Sequence, residues 1–433
     1  MRGILASAGY VPYRRLLRSE IREVMGSVGG STAGGAKGTR SVASFDEDTT
    51  TMAVEAARNL GPHAPPGALW LATATPAYLD KTNATAVHAA LRLGDDVPAL
   101  DFGGAIRSGI GALRAALEGS GTILVAASDM RTGLPGSADE AQGGDGAAAV
   151  VVGDGEVVAE YVGGASATRE FVDRWRTPGE VRSRTWEERF GEAMYVPLAE
   201  QAWNAALKSA DVTDVDVLCV AGMHARSVGR VSKRLGVERT MDLSATVGDT
   251  GTAHAMLLLS AALETTEPGA VVAVLSLADG ADALIFRTVT SPSPKRTVEA
   301  QVARAREVPY SRFLAWRGMI TPEPPNRPGP ARVSAPAAAR SEGLKFGFVD
   351  DGLPLADAQG TVATYTVDRL VYSPSPPVVF AVVDFDDGVR RPLELTDVDA
   401  DEVSVGDRVE MTFRRLSTAD GIHNYFWKAR PVR

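Results

Sequence analysis

Residues 99–115 read ALDFGGAIRSGIGALRA: a short apolar run, a glycine pair, then a helix-like stretch with small residues on one face. A strand turning tightly into a helix is where many enzymes mount a nucleophile. The elbow exposes one side chain, and the helix N-terminus stabilises the negative charge that develops there. Here the elbow residue is Ile106, and a hydrocarbon side chain can carry no acyl group. Gly103, Gly104 and Gly109 still permit the tight turn and close helix packing. The stretch therefore marks a fold while opposing the covalent chemistry such an elbow usually serves.

The rest of the 433-residue chain has the composition of a globular protein, with enough length for two or three domains. Its net charge of -9 gives a nucleic-acid role no electrostatic footprint. The N-terminal MRGILASAGYVPYRR lacks the apolar core of a signal peptide. No stretch approaches the roughly 20 apolar residues of a membrane span, so a cytoplasmic protein without membrane partners is expected. The single cysteine, Cys219, excludes an intrachain disulfide framework and a cysteine-based zinc ribbon. Lying within the apolar run VDVLCVAG, it reads as a buried structural thiol. No metal site is expected.

Up to about residue 290, short apolar runs alternate with segments of helical period, the pattern of an α/β layered fold. GALWLATAT, GTILVAASD, AAAVVVGDG, VDVLCVAG and GAVVAVLSLADG read as strands, and most are apolar on both faces, as in a sheet covered by helices. DTTTMAVEAARNL, NATAVHAALRL, YVPLAEQAWNAALKSA and TAHAMLLLSAALETT read as helices. GTILVAASD and GAVVAVLSLADG each follow a glycine-rich elbow and a helix, which hints at two related halves, 1–160 and 161–290. Residues 291–345 read as a proline-rich linker around a docking helix within REVPYSRFLAWRGMI. From 346 to 433 short alternating strands predict a small all-β barrel.

These residues resemble a known family. GYVPYRRL, DEDTTTMAVEAARN, PAYLDKTNATAVHAALRL, DFGGAIRSGIGAL, GLPGSADEAQGGDGAAAVVVGDG, RVSKRLG and VGDTGTAHAMLLLSAALE resemble the thiolase-fold hydroxymethylglutaryl-CoA synthases. SPSPPVVFAVVDF and DGIHNYFWKARPV resemble the OB-fold proteins that accompany or are fused to thiolase-like enzymes. The resemblance implies a duplicated α/β/α/β/α thiolase-like fold followed by an OB-fold barrel. It also implies a catalytic elbow cysteine, a glutamate after an earlier strand, and a histidine in an HxxN-like turn. In this sequence those positions read Ile106, Thr73 and, counting back from RVSKRLG, Ala221. The zinc ribbon with which such OB-fold partners usually begin is missing as well.

Without an acyl-cysteine, a ping-pong condensation through the elbow is not available. Aldol or retro-aldol chemistry on an acyl-CoA needs only donors for a thioester enolate and a base of suitable pKa. Cysteine-less thiolase relatives that cleave 3-hydroxyacyl-CoA esters are implied as a model. His224, after VDVLCVAG, is the first candidate acid/base, or else a surface histidine. Asp249 and Thr250 occupy the family's asparagine-containing turn, where they hold an oxyanion or simply cap a helix. Tyr78 is a candidate enolate donor or an ordinary loop tyrosine. His254, Thr73 and Ile106 are candidate pocket residues, and Arg107 and Arg226 candidate contacts for CoA phosphates. Asp139 and Glu140 match a tunnel-lining loop and read as structural.

Three functions follow from the resemblance. The first is a cysteine-independent lyase or acyltransferase acting on the carbon-carbon bond of an acyl-CoA. The second is a non-catalytic CoA-binding scaffold for a thiolase, and the third an orthodox hydroxymethylglutaryl-CoA synthase, which Ile106 opposes. A CoA thioester is expected as substrate with no resident cofactor. A homodimer and a thiolase or OB-fold protein are the expected partners.

Overall fold

Valine- and alanine-rich runs form the central strands, and the glycines and aspartates between them turn the chain into flanking helices. A computed structural model describes residues 1–28, 37–180, 182–321, 323, 339–347 and 354–433. The first half runs β1 (Arg2–Tyr10), β2 (Arg14–Leu17), α1 (Arg18–Gly26), β3 (Thr39–Val42), α2 (Thr49–Asn59), β4 (Ala68–Thr73), α3 (Ala84–Ala90), β5 (Ala99–Gly103), α4 (Ser108–Glu118), β6 (Ile123–Asp129), α5 (Ala138–Gln142) and β7 (Gly146–Asp154). The second runs β8 (Ala159–Thr168), β9 (Arg174–Trp175), β10 (Arg184–Thr185), α6 (Glu188–Ala210), β11 (Val217–Ala221), α7 (Ala225–Leu235), β12 (Arg239–Met241), α8 (His254–Glu264), β13 (Val271–Leu277) and β14 (Gly280–Thr288). There follow α9 (Val298–Ala303), β15 (Arg306–Glu307), α10 (Tyr310–Trp316), α11 (Ala339–Phe346), β16 (Gln359–Asp368), β17 (Val378–Phe385), β18 (Arg390–Glu394), β19 (Arg408–Ala419) and β20 (Ile422–Pro431).

Ten strands join in the order β12-β11-β13-β14-β8-β1-β7-β6-β4-β5. Outward from the central β8 and β1 the two sides repeat. The second strand is antiparallel to both neighbours, and the outer three are parallel. The echo between GTILVAASD and GAVVAVLSLADG is thus a real duplication, β6 matching β13. Helices α4 and α8 share one buried cluster with strands of both halves. Ten of the eleven residues of α8 are buried, as a helix inside a layered core requires. Gly109 lets α4 approach this layer: a Cβ there would lie 2.0 Å from the Thr252 carbonyl oxygen. Helix α2 covers the outer face of the first half, and α6 that of the second.

Helix α6 begins at Glu188 rather than at the expected Tyr195 and carries Pro197 internally. Within 291–345 the chain is more ordered than a linker. Strand β15 pairs with β2, while Tyr310, Phe313 and Leu314 of α10 bury against Leu16, Ile21 and Val42. Residues 324–338 of that expected linker, and 348–353 where a zinc ribbon would begin, lie outside the described residues.

The C-terminal strands form a five-stranded antiparallel sheet, β18-β17-β16-β19-β20. A bridge between Leu395 and Ala429 brings the first edge back to the last, giving a closed OB-type barrel. The acidic triplet Asp46-Glu47-Asp48, ahead of α2, plugs this barrel onto the body. Asp46 accepts from Lys428 Nζ at 3.0 Å, Glu47 from Arg414 Nη1 at 2.6 Å, and Asp48 from the Tyr425 hydroxyl at 2.9 Å. Asp48 also caps α2 through the Thr51 N–H. These acids are buried, so each requires its partner from the barrel.

Candidate functional site

Strand β5 ends at Gly103, and the chain reverses through Gly104, whose φ of +97° is open to glycine at no steric cost. Ile106 follows and lines a cavity of about 570 Å³. The other walls come from the segments just past the C-terminal ends of β4 (Ala74–Pro76), β6 (Met130–Thr132), β11 (Met223 and His224) and β13 (Leu277–Asp279). Ligands of open α/β sheets bind at that edge. The remaining wall is the segment Asp173–Glu180.

Asp129, at the end of β6 and fully buried, ties the two halves together beneath the cavity. Its Oδ1 accepts from the Thr73 hydroxyl at 3.0 Å, the Ala74 N–H at 2.8 Å and the Thr75 hydroxyl at 3.0 Å. Its Oδ2 accepts from the Thr252 N–H at 2.8 Å and the Thr252 hydroxyl at 2.7 Å. Thr73 is thereby a buried strut of this hub.

His224 reaches the cavity, but both ring nitrogens are engaged. Nδ1 accepts from the Ser227 N–H at 3.1 Å and caps α7, while Nε2 lies 3.0 Å from the Glu188 carbonyl oxygen. A carbonyl can only accept, so these partners assign the neutral Nε2–H tautomer. Beside it stand Asp173 and Tyr195, which line the same cavity. Burial pushes the Asp173 carboxyl above its usual range, against the pull of Arg174. Burial, then the neighbouring charges of Asp173 and Asp279, raise the Tyr195 hydroxyl. Gly191 makes room for the group: a Cβ there would stand 2.6 Å from both Asp173 Oδ1 and the His224 ring.

The other sequence candidates lie elsewhere. Asp249 accepts from the Gly251 N–H at 2.7 Å, so it caps the turn that opens into α8. Thr250 and His254 are buried together, the Thr250 N–H donating to His254 Nδ1 at 3.3 Å. Tyr78 faces the barrel: its hydroxyl accepts from the His423 N–H at 2.7 Å. Arg107 is held by Asp282 at 2.7 Å, the Asp279 carbonyl at 2.9 Å and the Thr168 hydroxyl at 2.9 Å. Arg226, exposed on α7, pairs with Glu192. Asp139 pairs with Arg174, and Glu140 accepts from the Tyr310 hydroxyl. Of the nine, Ile106 and His224 line the elbow cavity.

Asp173 and Tyr195 escaped notice in the sequence because nothing in their spacing marks them. A usable signal was the stretch from 169 to 187, REFVDRWRTPGEVRSRTWE, which separates β8 from α6 and holds only two-residue strands. Connections that long in a compact domain are usually functional. Cys219 is fully buried in β11, and burial pushes its thiol up to about 12. Among the described residues no cluster of three metal-ligating side chains occurs, and no helix is long and apolar enough to cross a membrane.

With this geometry in place, the comparisons with known proteins are informative. The chain is 31% identical over 307 residues to the hydroxymethylglutaryl-CoA synthase of Methanopyrus kandleri, covering 67% of this chain and 87% of that protein. The chain belongs to the hydroxymethylglutaryl-CoA synthase family. A crystal structure of an HMG-CoA synthase complexed with CoA superposes with a TM-score of 0.62 at 18% identity, over 72% of this chain and 89% of that one. The family's thiolase-like fold therefore extends to this chain, whose additional barrel has its own relatives. Residues 354–414 match the model described as ChsH2, C-terminal OB-fold domain. A DUF35 domain-containing scaffold protein of Methanothermobacter thermautotrophicus is 29% identical over 110 residues, 24% of this chain and 75% of that protein.

Proposed function

We propose that the chain holds an acyl-CoA in the elbow cavity and makes or breaks a carbon-carbon bond in it by an aldol or retro-aldol route, with no acyl-enzyme. One observation carries this reading: Ile106 stands at the elbow of a cavity large enough for an acyl chain, and an acid/base group, Asp173 with Tyr195, faces the same space. A carboxyl raised by burial holds a proton more readily than a free one and is suited to taking and returning it. In the cleaving direction Asp173 takes the β-hydroxyl proton, the Cα–Cβ bond breaks, and the electron pair becomes a thioester enolate that is then protonated at Cα. His224, fixed by Ser227 and Glu188, forms the wall beside Asp173. Asp249, Thr250 and His254 shape the turn before α8, and Thr73 supports the floor through Asp129. Arg226 reaches a CoA phosphate by exchanging Glu192. The thioester is the substrate, no resident cofactor takes part, and the setting is the cytoplasm.

The test is turnover of a panel of 3-hydroxyacyl-CoA and 3-oxoacyl-CoA esters, followed as acetyl- or propionyl-CoA release by mass spectrometry. Release should fall by about 10²-fold or more in Asp173→Asn, the scale on which a general acid/base acts. Silence with every ester removes the catalytic reading.

The docked barrel favours a second reading, a scaffold that presents substrate to a cysteine-bearing thiolase. Stable co-purification of such an enzyme, together with absent turnover, would establish it. In either case we infer a homodimer formed along β5, one of the two edge strands of the ten, where Leu100 is 50% exposed. Light scattering at the mass of one chain would exclude it.

A further inference from the structure

A second cavity, of about 310 Å³, lies between the body and the barrel and shares no wall residue with the elbow cavity. The body supplies Lys81 and the start of α3, α11 supplies Arg340, and β20 supplies Tyr425. Its walls hold two cations and no carboxylate. Lys81 Nζ donates to the Thr82 carbonyl at 2.9 Å and the Thr85 hydroxyl at 2.7 Å, both neutral, and has a third N–H left to give. Arg340 Nη2 donates to the His423 carbonyl at 2.7 Å, another neutral partner, and the guanidinium lies 5.9 Å from the centre of the Tyr425 ring. Lys81 is an exposed residue, yet partial burial against this wall, then the positive charge of Arg340, holds its ammonium below the usual lysine range.

The acids behind these walls are committed to other groups. Asp101 accepts from the Asn83 N–H at 2.7 Å and the Ala84 N–H at 2.8 Å, at the start of α3. Asp48 accepts from the Tyr425 hydroxyl and the Thr51 N–H, and pairs with Arg415 at 3.6 Å. Among the described residues neither Lys81 nor Arg340 has a carboxylate partner. Tyr78 adds a neutral donor to the same cavity: its hydroxyl accepts the His423 N–H and keeps its own proton to give. Two cations and a phenol thus converge on a space that offers them no anion, and an anionic ligand completes the set.

We propose that Lys81, Arg340 and Tyr78 form a binding site for a small phosphate monoester at the seam between body and barrel. A carboxylate would cancel one of the two charges, whereas a phosphate monoester carries about −1.5 to −2 and presents three acceptor oxygens. Ala86, Ala89 and Leu344 supply an apolar wall beside the donors, against which a short hydrocarbon or a ring can rest. Tyr78 and Lys81 belong to the body, while α11, which carries Arg340, is held to the barrel by the Trp427 Nε1–H donating to the Leu344 carbonyl at 3.0 Å. The bound anion therefore ties the two parts together. The loop bearing Tyr78 and Lys81 also walls the elbow cavity through Thr75, Pro76 and Leu79, which sets the occupant one loop away from that cavity.

The experiment is calorimetric titration of the full chain with phenyl phosphate and with benzoate at one ionic strength. The wild type should bind phenyl phosphate at least about tenfold more tightly than benzoate, the worth of one charge-assisted hydrogen bond. Lys81→Gln and Arg340→Gln should each weaken phenyl phosphate by about tenfold or more, and Tyr78→Phe by about threefold. Lys233→Gln, which removes an exposed cation from α7, should leave it unchanged. Because Lys81 is exposed, its replacement keeps the test valid if the Arg340 variant fails to fold. Absence of binding at millimolar phenyl phosphate overturns the site, as does equal affinity for the two ligands or an affinity unchanged in both glutamine variants. Saturating coenzyme A, which carries a phosphate monoester of its own, should leave phenyl phosphate binding intact; displacement would assign these donors to coenzyme A and overturn a separate site.

Discussion

Replacing Arg414 with methionine should loosen the barrel from the body. Arg414 is fully buried, with Nη1 2.6 Å from Glu47 of the body and Nη2 2.6 Å from Asp397 of the barrel. Methionine restores much of the aliphatic volume and none of the charge, so two buried carboxylates lose their shared cation. Breaking a buried pair in this way costs about 3–5 kcal/mol. Unfolding entropy near 2.1 cal/mol/K per residue gives about 0.9 kcal/mol/K for 433 residues melting as one unit. The melting temperature should then fall by about 3–6 °C, or by more if the barrel detaches first as a separate transition. Burial alone would raise Asp397, but Arg414 and Arg430 outweigh it and hold the carboxyl below its usual range. A depressed carboxylate contributes stability that is present above its unfolded pKa of about 3.9 and lost as pH falls through its folded value. The gap between variant and wild type should therefore be widest at neutral pH and close only below about pH 4, as pH falls through the folded value of Asp397, and adding Glu47→Gln should recover part of it. Scanning calorimetry across that range is the assay. A variant melting within about 1 °C of wild type at pH 7 would refute the idea that this cluster holds the barrel, since even 3 kcal/mol predicts more.

Other consequences are as direct. Burial pushes Glu264 up to about 7, while it accepts the Val298 N–H at 2.8 Å. A raised carboxyl stabilises most below its unfolded pKa and loses that contribution as pH rises through 7, so Glu264→Gln should be more stable than wild type at pH 8 by about 2–3 kcal/mol. Equal melting temperatures at pH 8 would count against it. Gly191→Ala forces a methyl against Asp173 and His224, and should cost about 1–3 kcal/mol of stability and most of the turnover; full activity would show that this contact does not matter. Native protein should resist iodoacetamide because Cys219 is buried, whereas Ile106→Cys should be alkylated once, at the cavity wall. Labelling of the folded wild type would contradict the placement of Cys219.

The fold was legible because its signals are local. GDGAAAVVVG became β7, the glycine-rich elbow became the β5–α4 turn, and the runs after 355 became the barrel strands. Period and turn chemistry act over a few residues and survive without a structure. The roles of the polar side chains did not, because their partners are distant in sequence. Arg107 is consumed by Asp282, 175 residues away, and Tyr78 by His423, 345 residues away. His224 stands at the expected sheet edge, yet its nitrogens are claimed by Ser227 and by Glu188 of another helix. The loop carrying Asp173 has no period at all, so its chemistry emerged only once the chain folded around the cavity. The DEDTTT stretch, visible first as a family likeness, proved to be the socket for the barrel.

The central claim is that an acyl thioester is processed in the elbow cavity without ever being bonded to the protein. Intact-protein mass spectrometry, on samples acid-quenched while 3-hydroxyacyl-CoA is being consumed, tests it most directly. Released acyl-CoA and a protein mass unchanged at every time point are expected. A protein heavier by one acyl group during turnover would contradict it.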